Sequence, residues 1–278
     1  WAATASGAFV LTENSLYTLE AWTRFLEQLS PRGVLSVSRW YYADRPGEVY
    51  RSAVLAVAAL QRIGVTRPQD HFAIVRASPP ATAGAPDGIG TIPVSRDPLT
   101  AADLDTLEAV AARLKFDIVR SPRTSVDDTF PAIASRDRLP ALLASYPLDI
   151  SAPTDDSPFF FHMLRLRDVF DIHRWQDQGI VSFNMKAVGV LGVLLMTVVL
   201  MTTACIVVPL MRTGRGTGLE GAAPYLAYFA AIGLGFMLIE ISQLQRLTIF
   251  LGHPSYSLSV VLFSLLVSSG LGSLSTAR

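Results

Sequence analysis

Cysteine is nearly missing from this chain. Cys205 is the only one among 278 residues, which excludes an intrachain disulfide and a cysteine metal cluster. Its place inside an apolar run reads as a small apolar helix residue. Net charge is missing as well. The 23 basic residues balance the 23 acidic ones and the isoelectric point is near 7.1, so no basic field draws in nucleic acid and no acidic surplus asks for a basic partner. Histidine is sparse, with four in all. His162 and His173 have no partner at metal spacing, and His71 and His253 stand far off, so no metal site is expected. The residues after Trp1 hold neither the basic nor the apolar region of a signal peptide. Because the chain opens on tryptophan and stops a few residues after an apolar run, it reads as a fragment of a longer protein. The phosphate-cradling turn G-x-G-x-x-G is also absent from residues 1 to 180, so the nucleotide half of any doubly wound fold is expected upstream of Trp1.

What the chain does have is a division in hydropathy. Half its residues are hydrophobic and the mean hydropathy is +0.38, but that mean joins an ordinary first part to a last third with few charges. Residues 1–161 read as soluble α/β protein, 162–185 as an interfacial linker helix (Arg165 to Asp177 above all), and 186–278 as transmembrane helices. Three apolar runs, about 187–211, 224–241 and 256–274, are candidates to cross a lipid bilayer. The first has about 25 residues, enough at 1.5 Å rise for ~30 Å of hydrocarbon with some tilt; the other two are near the lower limit.

Between the second and third runs lie Glu240, Gln243, Gln245 and Arg246, and polar groups are costly in hydrocarbon. They mark either the headgroup end of the second span or a deeper polar seam. Glu240 and Arg246 are six residues apart and fall on different helix faces, whereas Gln243 at +3 is better placed to meet Glu240. Pro254 prevents an unbroken helix beyond them. Ser264, Ser268, Ser269, Gly270, Gly272 and Ser273 give a small-residue surface for close helix approach, so a packed multi-pass bundle with further transmembrane helices of the same intact chain is expected. Arg165, Arg167, Arg174 and Lys186 before the first span outnumber Arg212 and Arg215 after it, which tilts the soluble part toward the cytoplasm.

In the soluble part, apolar residues at helical spacing predict a helix from Ser15 to Leu29, stopped by Pro31 and Gly33 before a strand, Val34 to Val37. Arg45-Pro46-Gly47-Glu48 announces a second helix that runs through VLAVAALQRI to Gly64. Strands follow at His71 to Arg76 and Thr91 to Ser95, the second pairing back on the first. Thr100 and Asp103 form a capping box for a helix whose buried stripe is Leu104, Leu107, Val110, Ala111 and Leu114, and Phe116 to Val119 is a last short strand. The alternation predicts a mostly parallel sheet with helices on both faces and an antiparallel hairpin at its edge.

Gly7-Ala8-Phe9 through Leu16-Tyr17, Glu20-Ala21 and Leu29-Ser30-Pro31-Arg32-Gly33-Val34-Leu35 together resemble the stretch after the fourth strand of spermidine synthases and related S-adenosylmethionine-dependent enzymes. Pro153-Thr154-Asp155-Asp156-Ser157-Pro158-Phe159-Phe160-Phe161 and Gly235-Phe236-Met237-Leu238-Ile239-Glu240 look like segments of bacterial membrane-embedded spermidine synthase-like proteins. The resemblance covers nearly the whole chain. It implies the C-terminal half of a doubly wound methyltransferase-like sheet followed by an all-α transmembrane bundle, in the bacterial inner (cytoplasmic) membrane. It also implies S-adenosylmethionine or its decarboxylated form as co-substrate, a polyamine or other small-molecule acceptor, and a catalytic aspartate just before Trp1. At the end of the fifth strand, where aminopropyltransferases tend to carry Gln and an acidic residue, this chain has Ser38, Arg39 and Trp40.

Transfer from a sulfonium donor needs a carboxylate or base to hold the attacking amine and a cage of aromatic and polar groups. Tyr17, Glu20, Arg39, Trp40 and Tyr41 lie near strand ends where such groups would sit; packing aromatics and solvated charges are the competing reading. Asp155 and Asp156 give either a carboxylate pair beside a cationic polyamine or a turn that fixes the aromatic run Phe159–Phe161. Beside the transferase reading stands a second one, in which the sheet domain is catalytically inactive and regulates or scaffolds a transport-like bundle.

Overall fold

Thr18 sets the start of the first helix. Its hydroxyl oxygen accepts the Ala21 N–H at 3.1 Å, so α1 spans Leu19–Gln28 behind a one-turn 3-10 helix at Ser15–Tyr17, and Leu16 is left exposed. Strand β1 extends past the expected Val37, from Val34 to Tyr41. Helix α2 (Gly47–Arg62) ends where Gly64 takes a left-handed φ of 91°, a conformation that glycine adopts without strain. β2 (Ile74–Ala77), β3 (Gly88–Ser95), α3 (Ala101–Leu114), β4 (Asp117–Arg120), α4 (Thr129–Ala134) and α5 (Leu139–Ser145) follow. This computed structural model describes residues 10, 12–78, 86–165, 180–209 and 222–276, in two units, Trp1–Thr197 and Val198–Arg278.

The expected parallel sheet is corrected by the strand order. The four strands lie β1-β3-β2-β4 and every neighbouring pair is antiparallel. The cause is the return strand β3. It pairs with β2 as expected, Val75 opposite Thr91, but it also runs the full length of β1, from Val34 opposite Ser95 to Tyr41 opposite Gly88. Ser38 and Thr91 hydroxyls meet across that pair at 2.9 Å. β1 and β2 therefore run parallel to each other, joined through α2, without touching. β1 ends the sheet, so its outer edge has no strand partner among the described residues, the situation natural proteins normally cover or blunt.

α2 is the centre of this unit. Nearly every residue from Gly47 to Leu60 is buried, as expected of a helix apolar on all sides, because α1, α4, β1 and β3 pack around it. Gly90 permits this approach, since a Cβ there would stand 3.0 Å from Val49 Cγ2. α3 is peripheral by contrast. Its capping box forms as predicted, with Asp103 N–H donating to Thr100 Oγ1 at 3.2 Å and Thr100 N–H to Asp103 Oδ2 at 2.8 Å. Of its predicted stripe, however, Leu104 and Ala111 are buried while Val110 and Leu114 are 36% and 49% exposed, because little besides β4 packs on it.

Three helices are long and apolar enough to cross a membrane, over Lys186–Ile206, Ala227–Leu251 and Pro254–Ser275, and we read the chain as a membrane protein. The first belongs to α6 (Ile180–Thr202) and a π-helical turn at Thr203–Val207. The start of α6 is fastened to the soluble core: Met163 N–H donates to buried Asn184 Oδ1 at 2.9 Å, and Ala187 is buried. The proposed interfacial helix, residues 166–179, lies outside the described residues. α7 spans Ala222–Leu251, ten residues beyond the apolar run that ends at Ile241, so the polar cluster sits inside the second long helix rather than in a connection between helices. Gly252, with φ 71°, and Pro254 turn the chain into α8 (Pro254–Thr276). α7 and α8 pack together, and buried Ser257 and Val261, one turn apart, mark the covered face of α8. A Cβ added at Gly270 or Gly272 would meet nothing within 4 Å, so the small-residue surface is not the α7–α8 contact. Phe229, Phe250 and Phe263 point outward from these helices, 67%, 82% and 71% exposed, as lipid-facing residues do.

Candidate functional site

Two charges sit inside the helix that should have none. Glu48 and Arg51 on α2 are 3% and 4% exposed, and buried charges require partners. Arg51 finds four backbone carbonyls: Nε donates to Ser151 O at 2.8 Å, and Nη1 to Phe159 O at 3.1 Å, Phe160 O at 2.7 Å and His162 O at 2.7 Å. Burial brings its pKa down to about 10, so it stays cationic at neutral pH. The same segment is tied down by Asn14 N–H to Pro158 O at 2.7 Å and Asp149 N–H to Met163 O at 2.8 Å. These bonds hold the aromatic run in place, with Phe160 fully buried and its ring 4.7 Å from that of Tyr17.

Arg39, reaching in from β1, occupies the cage those rings make. Its guanidinium carbon lies 4.0 Å from the Tyr17 ring centroid, 5.3 Å from that of Phe161 and 5.5 Å from that of Phe160, all within cation–π range. Its Nε is buried and has no hydrogen-bond partner among the described residues. Burial lowers the Arg39 pKa while the charge of Glu48 raises it. Glu48 responds in kind: burial pushes its carboxyl up to about 7, against the opposing pull of Arg39 and of the Trp40 backbone N–H. The result is a carboxyl that exchanges its proton near neutrality, beside a cation held by aromatic faces.

Of the candidates expected from sequence, the fold brings Tyr17 and Arg39 together, keeps the Trp40 backbone N–H on Glu48, and engages Glu20, Tyr41, Asp155 and Asp156 elsewhere. Glu20 pairs with Arg62 at 2.7 Å and accepts the Asp155 N–H at 3.1 Å, and the Arg62 bond lowers its pKa. It joins α1 to α2 and to the 154–157 turn. Asp155 and Asp156 are exposed at the tip of that turn, closed by Ser157 N–H to Thr154 O at 2.9 Å, so the turn reading is the one that the geometry supports. Tyr41 is buried under the Arg76 guanidinium at 5.0 Å. Among the described residues, no three His, Cys, Asp or Glu side chains converge as metal ligands. Glu48 and Arg51 were not among the expected site residues. The signal was there, as two charges three apart at the mouth of an alanine-rich apolar run that has no solvent face to put them on.

Other polar places are already engaged. A cavity of about 420 Å³ is lined by Gln69, Arg120, Ser121 and Arg123. Arg120 donates to the Phe72 and Gln69 carbonyls, and Arg123 pairs with Asp105 at 2.7 Å and Glu108 at 3.0 Å. On α7, Glu240 is half-buried near the middle of the Ala227–Leu251 span, while Gln243, Gln245 and Arg246 are exposed. No ion pair joins Glu240 to Arg246 among the described residues. Comparison with known proteins leaves the family open: no family model, no curated protein and no solved structure matches the chain.

Proposed function

We propose that this chain belongs to a membrane-bound, spermidine synthase-like transferase, which moves an aminopropyl or methyl group from an S-adenosylmethionine-type donor to an amine. The observation that carries this reading is Glu48, a buried carboxyl brought to about pKa 7 beside the C-terminal end of β1. Ends of strands are where open α/β sheets hold their ligands, and a base poised near the working pH is what amine transfer needs. In the step proposed, the amine nitrogen attacks the carbon bound to the donor sulfonium. The C–N bond forms as the C–S bond breaks, the electron pair of the broken bond stays on sulfur as a neutral thioether, and the amine proton passes to the Glu48 carboxylate. Two parallel strands linked through α2, with a reversed strand between them, support a doubly wound origin for the sheet. We place the protein in the bacterial cytoplasmic membrane with the soluble unit facing the cytosol, where S-adenosyl compounds are made.

Calorimetry on the full-length protein in detergent tests this. Heat of binding is expected for S-adenosylmethionine or its decarboxylated form, and no detectable heat at millimolar ligand would exclude the reading. One observation favours the second reading, an inactive sheet domain that regulates or scaffolds a transport-like bundle: Arg39 already fills the aromatic cage that an acceptor cation would use.

A further inference from the structure

The rings around Arg39 present π faces to its guanidinium, and its buried Nε receives no acceptor among the described residues. A cage of this kind stabilises positive charge by the ring quadrupole, and its two phenylalanine rings offer an N–H group no more than weak contact with their faces. An N–H donor carried into it loses its water without full replacement, which is unfavourable. Arg39 bears that cost because its stem is anchored in β1 opposite Gly90, so it reaches the cage without losing translational freedom. A cation with no N–H at all would suit the rings better. Glu48 and Arg39 act on each other through their charges, so a cation that replaced the guanidinium would meet a negative charge whenever Glu48 is ionised. The loop that carries Phe160 and Phe161 is held by Arg51 rather than by Arg39.

We propose that the Tyr17–Phe160–Phe161 cage is a site for a quaternary ammonium cation, and that Arg39 is its internal occupant, which such a ligand must displace. Arg39 thus acts as a built-in competitor. The site is the one named in the transferase reading, but the claim does not need transfer chemistry: failure of the full-length protein to bind an S-adenosyl donor leaves it standing, and its own failure leaves donor binding untouched.

The test is calorimetric titration of tetramethylammonium into the full chain, unaltered and as Arg39→Ala. The variant is expected to bind at least about tenfold more tightly than the unaltered protein, and methylammonium at least about tenfold more weakly than tetramethylammonium. Adding Tyr17→Leu to Arg39→Ala is expected to remove the binding. Equal affinity of variant and unaltered protein, or equal affinity for the two ammonium ions, overturns the proposal. If Arg39→Ala does not fold, the unaltered protein decides. Its Arg39 Nε–H resonance, displaced by the Tyr17 ring current, is expected to move toward its solvent position as tetramethylammonium rises to about 0.1 M. A resonance that stays in place overturns the proposal equally.

Discussion

The two charged clusters of this protein are handled in opposite ways. In the soluble unit, Arg51 is buried and finds four carbonyl partners, while Glu48 is buried and answers Arg39 across the end of β1. On α7, Glu240 and Arg246 stand in a span long enough to cross a bilayer and form no ion pair with each other. Arg51 is answered entirely within its own unit, and Glu48 and Arg39 act on each other there through their charges. For Glu240 and Arg246 no ion pair is found among the described residues, and in hydrocarbon an unanswered charge is costly. The contrast teaches that the soluble core answers the Arg51 charge from its own backbone, whereas Glu240 and Arg246, if held in hydrocarbon, draw on further helices or water.

The comparison is broken most severely at Arg51. Arg51→Met fits the volume but leaves four carbonyls without a donor, and is expected to cost about 3–5 kcal/mol of soluble-unit stability in thermal unfolding. Arg51→Lys keeps the charge but not the fork, and is expected to recover only part of it. Glu48 gives the next effect, and its sign depends on pH. Between pH about 4.5 and about 7 the folded chain keeps a proton on Glu48 that the unfolded chain releases, so stability falls as pH rises through that window. Glu48→Gln removes this slope. Relative to the unaltered protein it is expected to gain stability above pH 7, by up to about 3 kcal/mol, and to show no gain near pH 4.5. A pH-independent difference would contradict the assignment.

On the membrane side, Glu240→Leu is expected to ease bilayer insertion of α7 by about 2–3 kcal/mol in a glycosylation-mapping assay while leaving unfolding of the soluble unit unchanged. An unchanged insertion efficiency would place Glu240 outside the hydrocarbon. The smallest effect is at the capping box: Thr100→Ala is expected to cost about 1 kcal/mol, because the Asp103 N–H loses its acceptor.

Much of this architecture was legible in the sequence, and the misses have physical causes. The caps and stops are written locally, so the Thr100–Asp103 box and the Gly64 stop came out as expected. The β2–β3 hairpin did too. Pairing of β3 with β1 is non-local, and nothing in the alternation of strands and helices says that a returning strand will insert between two others. The end of the second span was placed at Ile241 because hydropathy drops there, yet the i→i−4 hydrogen-bond ladder tolerates Glu240, Gln243 and Arg246 and carries the helix on to Leu251. Tyr17 and Arg39, singled out by their places at element ends, do meet in the fold. Glu48 was missed because it looked like an ordinary first-turn acid; only packing on all sides of α2 turns it into a buried carboxyl.

The most direct test is to titrate the Glu48 carboxyl itself in the full-length protein, by infrared difference spectroscopy against Glu48→Gln. A protonation midpoint near 7 is the result expected of a buried acid poised beside the Arg39 cage. A midpoint at the ordinary value of 4.5 would mean that water reaches the group, and would remove the proton acceptor from the proposed chemistry.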